Sequence, residues 1–166
     1  MFRKIEDFQK AWGHEVEATE KVYGALTDAS LMQKVGAEGR SLGFLAWHIV
    51  LTLGEMPGHV GLRITAPAGD AACPESASEI ASAFEKAARS VGAEVGKHWT
   101  DETLLEVDDM YGEKWARGMT LYSLVLHQAH HRGQMTVLMR QAGLVVPGVY
   151  GPAKEEWAAI GLPAMP

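Results

Sequence analysis

The sequence has little that would tie it together covalently or draw it to a polyanion. Its 166 residues include a single cysteine, Cys73, so no intramolecular disulfide is available and a reducing, cytoplasmic setting is expected. Cys73 sits in a stretch rich in Pro, Gly and Ala and reads as a spectator loop thiol. Positive charge is also short, with 15 lysines and arginines against 21 aspartates and glutamates for a net −6. No basic run interrupts that balance, so neither a nucleic acid nor an anionic membrane is expected as a partner. The most apolar run, Leu42–Leu53, is well short of the ~20 residues that span a bilayer. Met1–Lys10 mixes charges into its apolar residues, which is not the pattern of a secretory signal. No phosphate-cradling glycine loop, CxxC pair or Ser-His-Asp grouping can be assembled from the chain.

What is present is enough apolar material for a core. With 47% hydrophobic and 22% charged residues, residues 1–166 read as one soluble domain. A chain of this length buries roughly 70% of the surface its unfolded form exposes, so it needs no structural metal to stay folded. Any metal bound here is expected to be functional.

The apolar pattern has the helical period throughout. Ile5, Phe8, Trp12, Val16, Thr19, Tyr23 and Leu26 recur at steps of three or four, predicting a first helix from about Arg3 to Leu26. Thr27–Arg40 reads as an irregular connection, after which Ser41 caps a second, unusually apolar helix carrying Leu42, Leu45, His48, Ile49, Thr52 and Met56. Pro57 and Gly58 are expected to weaken its end. Pro74 suits the first turn of a third helix, from about Glu75 to His98. Thr100–Arg117 breaks the period and admits a short hairpin. A fourth helix is predicted from Met119 or Thr120 to Gln141, ended by a left-handed Gly143, with one or two helical turns between Pro152 and Ile160 in the tail. Met32, Met56, Met110, Met119, Met135 and Met139 read as core filler. Four amphipathic helices with little strand signal make an all-α four-helix bundle, and the long connections favour crossover loops.

Three of the seven histidines fall within five positions of the fourth helix. His127 and His131, at i and i+4, lie about 40° apart around the helix axis and stack on one face. Leu124, Gln134 and Leu138 share that face, so the pair points into the bundle. There an unpaired imidazole is costly, and a metal ion would satisfy it. His48, in the middle of the apolar stripe of the second helix, is the natural third ligand. Three protein ligands leave coordination positions open, the pattern of a catalytic centre. Imidazoles suit zinc, nickel, copper or iron, with zinc and nickel first.

His130 lies about 60° from His127 and 100° from His131, which makes it a neighbour of the site or a surface residue. Gln134 is placed to hydrogen-bond within the cavity. Glu55, seven residues after His48, is the one candidate for a supporting carboxylate or general base. Arg132 points off the metal face and is expected to brace a neighbouring helix or a subunit contact. His14, His59 and His98 read as surface residues.

The stretch Leu126-His127-Gln128-Ala129-His130-His131-Arg132-Gly133-Gln134, taken with Ala46-Trp47-His48-Ile49, resembles the DinB/YfiT-like metalloenzymes. The turn Asp109-Met110-Tyr111-Gly112-Glu113 and the segment Tyr150-Gly151-Pro152-Ala153-Lys154-Glu155-Glu156-Trp157 are also similar to that family, so the likeness covers nearly the whole chain. It implies an up-down-down-up bundle whose metal is held by His48, His127 and His131. Characterised members are thiol transferases that use bacillithiol, mycothiol or glutathione, and a thiol-dependent maleylpyruvate isomerase.

The resulting expectation is a metal-dependent enzyme, thiol transferase-like, that activates a low-molecular-weight thiol or water against a small-molecule substrate. A metal-dependent hydrolase and a non-catalytic metal- or ligand-binding stress protein are the alternatives. The apolar second helix and the Trp157 tail suggest a homodimer.

Overall fold

The computed structural model describes residues 1–163, so the last three positions of the expected 1–166 domain lie outside the described residues. Among the described residues there are four α-helices: α1 (Ile5–Gly24), α2 (Leu42–His59), α3 (Ala77–His98) and α4 (Arg117–Gln141). Before α4 the chain makes a two-stranded antiparallel hairpin, β1 (Val107–Met110) and β2 (Glu113–Ala116), with Val107 opposite Ala116 and Met110 opposite Glu113. Single 3-10 turns occupy Asp28–Met32, Thr103–Leu105 and Trp157–Ile160. No helix among the described residues is long and apolar enough to cross a membrane.

Consecutive helices are not always neighbours. The main partners of α1 are α3 and α4, and α2 packs on α3 and α4. The Trp12 indole N–H donates to the Ala88 carbonyl and Gln9 reaches the Gly92 carbonyl, while the Ile5 amide meets Asp101 just beyond α3, so α1 and α3 run in opposite senses. Leu45 lies beside Gln134 and Leu138, whereas Thr52 and Glu55 lie near Ser123 and Trp115, which makes α2 and α4 antiparallel too.

The helix ends show where local signals governed and where distant residues did. Ser41 Oγ accepts from the Phe44 amide at 3.1 Å, the expected cap of α2. The α3 terminus is different: Asp28, from the connection after α1, accepts the Ala77 amide at 2.7 Å. That cap starts α3 at Ala77 rather than Glu75 and leaves Pro74 outside its first turn. α4 begins at Arg117 rather than Met119 because the Arg117 amide donates to the Glu106 carbonyl at 2.8 Å. One residue later, a Cβ on Gly118 would meet the Phe2 carbonyl oxygen at 2.1 Å, so only glycine permits this crossing. α1 is shorter than expected at both ends, α2 continues through Pro57 to His59, and the tail helix reduces to the 3-10 turn at Trp157. Gly143 takes φ +75°, the left-handed conformation expected after α4.

The core joins all four helices through Phe8, Tyr23, Leu42, Leu53, Phe84 and Leu121, each essentially inaccessible. Burying side chains of this size stabilises by about 1.5–3 kcal/mol apiece, which is what holds helices whose connections are long. α2 is buried on much of its circumference, as its composition predicts. Met56, Met110, Met135 and Met139 fill the core, but Met32 is 75% exposed at the end of its 3-10 turn and does not.

Candidate metal centre

Antiparallel packing of α2 on α4 carries His48 to the face where His127 and His131 stack. His48 Nε2 lies 3.1 Å from His127 Nε2, which lies 3.2 Å from His131 Nε2. The three rings meet edge to face, with centroids 4.4–4.9 Å apart. Among the described residues these form the one group of three or more His, Cys, Asp or Glu side chains whose ligand atoms all lie within 4.8 Å of one another.

The donor chemistry fits a cation. Gln134 Oε1 accepts from His131 Nδ1 at 2.7 Å, which leaves the His131 Nε2 lone pair facing its neighbours. An imidazole nitrogen carries either one proton or one lone pair, so a single His127 N–H would have to serve both His131 and His48. A metal ion instead accepts all three lone pairs. At the usual 2.0–2.1 Å metal–nitrogen distance, tetrahedral donors sit about 3.3 Å apart and cis-octahedral donors about 2.9 Å. The spacings of 3.1 and 3.2 Å fall between the two.

The electrostatics keep the trio neutral and ready to ligate. Burial lowers the pKa of His127 to about 4, helped by the neighbouring His131, His48 and His130. Burial is likewise the largest influence lowering His48, followed by His131 and Arg40, with Glu55 opposing. His131 is lowered by burial against the opposing hydrogen bond to Gln134. Lone-pair imidazoles are what a metal requires, so protons do not compete for the site near neutrality.

His48 and His127 also line a cavity of about 600 Å³ whose other walls include Glu55, Tyr111, Trp115 and Ser123. Tyr111 and Trp115 come from the hairpin. Tyr111 and Gly112 are its two loop residues, with φ +55° and +86°, as in a two-residue turn whose strands keep their natural twist. Tyr111 is the one non-glycine residue with positive φ among the described residues, and that conformation costs about 1–2 kcal/mol. Its hydroxyl donates to the Glu55 carboxylate, 2.8 and 3.0 Å from the two oxygens, and the same carboxylate meets His59 at 3.0 Å. Burial and the Glu55 charge both raise the Tyr111 pKa, burial more.

The other candidates are placed as follows. His130 is exposed, with its ring 4.8 Å from that of His131. Gln134 bonds His131 but is exposed and is not among the residues lining the cavity in which it was expected to hydrogen-bond, and Glu55 is at the cavity wall but is held by Tyr111 and His59. His14, His59 and His98 lie at the surface. Cys73 is exposed, its thiol 3.5 Å from the Gly43 carbonyl. Trp115 was not singled out from the sequence, and Tyr111 entered only as part of the family-like turn Asp109–Glu113.

Arg132 faces away from the histidines and is 2% exposed. Its guanidinium donates to Thr19 Oγ1 at 2.7 Å and to the Tyr150 hydroxyl at 2.7 Å, and lies 2.8 Å from Glu15 Oε2 as an ion pair off the hydrogen-bond axis. Tyr150 in turn donates to Glu15 Oε1 at 2.7 Å, and Gln128 donates to Thr19. Arg132 therefore braces α1, as its angle from the metal face suggested. The buried Glu15 and Gln128 were not recognised in the sequence.

Known proteins are similar to this chain in sequence and in overall fold. The uncharacterized protein YrdA of Bacillus subtilis (strain 168) is 46% identical over 164 residues, spanning 99% of this chain and 98% of its own length. The crystal structure of a DinB-like protein from Bacillus cereus ATCC 10987, 41% identical, superposes with a TM-score of 0.87 over 90% of this chain and all of its own. A second DinB-like protein, YjoA of Bacillus subtilis, shares the fold at 16% identity, with a TM-score of 0.64 over 86% of this chain and 97% of its own. The sequence profile of the DinB family matches residues 1–164, and the chain belongs to that family.

Proposed function

We propose that the protein is a divalent-metal-dependent enzyme that transfers a low-molecular-weight thiol to a small electrophile, with His48, His127 and His131 as the metal ligands. The observation that supports this most directly is the convergence of three imidazole Nε2 atoms, two of whose rings line a cavity large enough for a small molecule. An ion held there would supply Lewis acidity, lowering the pKa of a thiol or water at its open positions. The chain's own groups do the rest. Gln134 fixes the tautomer of His131, and burial keeps all three ligands neutral. Leu51, Met56 and Trp115 give the cavity apolar walls that exclude water from an electrophile.

The test is metal content by mass spectrometry of tag-free protein, purified without chelator, for the parent and for His48→Ala, His127→Ala and His131→Ala. Near-stoichiometric metal in the parent and loss in all three variants is expected, followed by chelator-sensitive consumption of thiol with an electrophile such as monobromobimane. A parent that stays empty when zinc or nickel is offered overturns the metal site. Turnover of an electrophile that proceeds without thiol replaces the transferase with a hydrolase. A loaded protein inert to both thiol and water points to a binding protein.

A further inference from the structure

The end of the cavity away from the histidines has a chemistry of its own. Glu55 is the one carboxylate among the ten described residues that line the cavity, and no lysine or arginine is among them. The Tyr111 and Trp115 rings stand 6.0 Å apart at 73°, an aromatic corner beside that carboxylate. The left-handed Tyr111 backbone places the phenol hydroxyl on both Glu55 oxygens, and backbone strain of this kind collects where a side chain is held for function. His48 and Glu55 are seven positions apart on α2, a rise of about 10 Å. With its oxygens held by Tyr111 and His59, Glu55 is not placed as a general base, which needs a contact of about 2.6–3.2 Å to the proton it takes. It suits the far end of a bound molecule instead.

A carboxylate only accepts hydrogen bonds, and π faces attract cations. Glu55 spends two contacts on Tyr111 and one on His59, which leaves acceptor capacity on a side chain that is 43% exposed. Charged and ionisable groups around the corner include His59, which contacts Glu55 and lies with its ring 5.5 Å from that of Tyr111, Glu113, which accepts from the Trp115 indole, and the Lys114–Asp109 pair across the hairpin. With histidine counted as neutral their sum is negative, as is the whole chain at −6.

We infer that Glu55, Tyr111 and Trp115 form a specificity site for an ammonium group on the substrate, about seven or eight bonds from the atom that reacts at the histidines. The inference rests on the proposed transferase for the identity of the reacting end, and names the substrate class as amine-bearing thiols or electrophiles.

The two ends are tested separately. In the zinc-loaded protein, the Trp115 indole ¹H–¹⁵N resonance, assigned by its loss in Trp115→Phe, is titrated with hexylammonium, hexan-1-ol and hexanoate. Hexylammonium should shift it saturably and bind about fivefold or more tightly than the alcohol. Hexanoate should bind more weakly still, and Glu55→Gln should erase the ranking. Equal binding of the three, or a ranking that survives in Glu55→Gln, overturns the ammonium site. In the cobalt-loaded protein, 6-aminohexane-1-thiol and 6-mercaptohexan-1-ol are then compared by the visible spectrum. Response to both with a preference for the amine supports the site and the thiol reading together. Response to both alike, like equal binding in the first titration, overturns the ammonium site and leaves the thiol reading standing. Response to neither removes the thiol reading, while the first titration still decides the ammonium site.

Discussion

Two polar clusters sit back to back on α4, one turning to α2 and the other to α1, and they differ in how their groups are satisfied. On the α1 side, Arg132 and Gln128 meet Glu15, Thr19 and Tyr150, so donors face acceptors and a cation faces an anion. On the α2 side, His48, His127 and His131 bring three neutral nitrogens of the same kind together at one point, beside an open cavity. His131 and Arg132 are adjacent in sequence and both are buried, yet one cluster pairs a cation with an anion, with only Glu15 Oε2 and Gln128 Oε1 lacking a hydrogen-bond partner, and the other could hold an ion. Burial alone therefore does not mark a functional site. A half-buried set of like nitrogens beside a cavity marks the candidate site, because its members cannot all satisfy one another.

The largest way to break this contrast is to remove the cation from the charge-paired cluster. Arg132→Ala leaves the Glu15 carboxylate buried without its cation and should lower stability by about 3–5 kcal/mol, read by urea unfolding of the metal-free protein. A loss below about 1 kcal/mol would mean that water already reaches Glu15 and that the two clusters are alike. Tyr150→Phe is milder. It removes one hydroxyl that bonds both Arg132 and Glu15, and a loss of about 1.5–3 kcal/mol is expected for a hydrogen bond to charged partners. No change in the urea midpoint would show that the tail segment around Tyr150 adds nothing to the charge-paired cluster.

The smallest effect is expected on the histidine side and depends on pH. The folded pKa of His127 is lowered to about 4, while an unfolded histidine titrates near 6.5. Between about pH 6.5 and 4 the unfolded chain holds a proton that the folded one does not, so stability falls as pH falls through that window and is flat above it. His127→Ala should flatten this slope in metal-free protein, though not abolish it, because His48 and His131 are lowered as well. Unfolding midpoints at pH 7.5 and 5 check it. An unchanged slope in the variant would remove His127 as its source.

Much of the site was legible because helical spacing is local. The i, i+4 pair on α4 and a histidine in the apolar stripe of α2 identified all three members of the trio, and the angle of Arg132 placed it on the opposite side. Glu15 was lost among the lysines and glutamates of α1, since nothing in its neighbours tells of an arginine 117 positions later. The start of α3 was misplaced for a related reason, as its cap comes from Asp28. Met32, read as core, is exposed because its 3-10 turn points it outward.

The sequence by itself determined what depends on repeat and spacing: four helices, the apolar identity of α2, the left-handed stop at Gly143 and the stacking of His127 on His131. These follow from 3.6 residues per turn and need no partner. Only the tertiary structure decided that α2 lies antiparallel to α4, that His48 therefore meets the pair, and that the hairpin swings Tyr111 onto Glu55, 56 residues away. Such contacts are chosen by how helix faces pack and how long loops close, and burial of the whole core decides them at once.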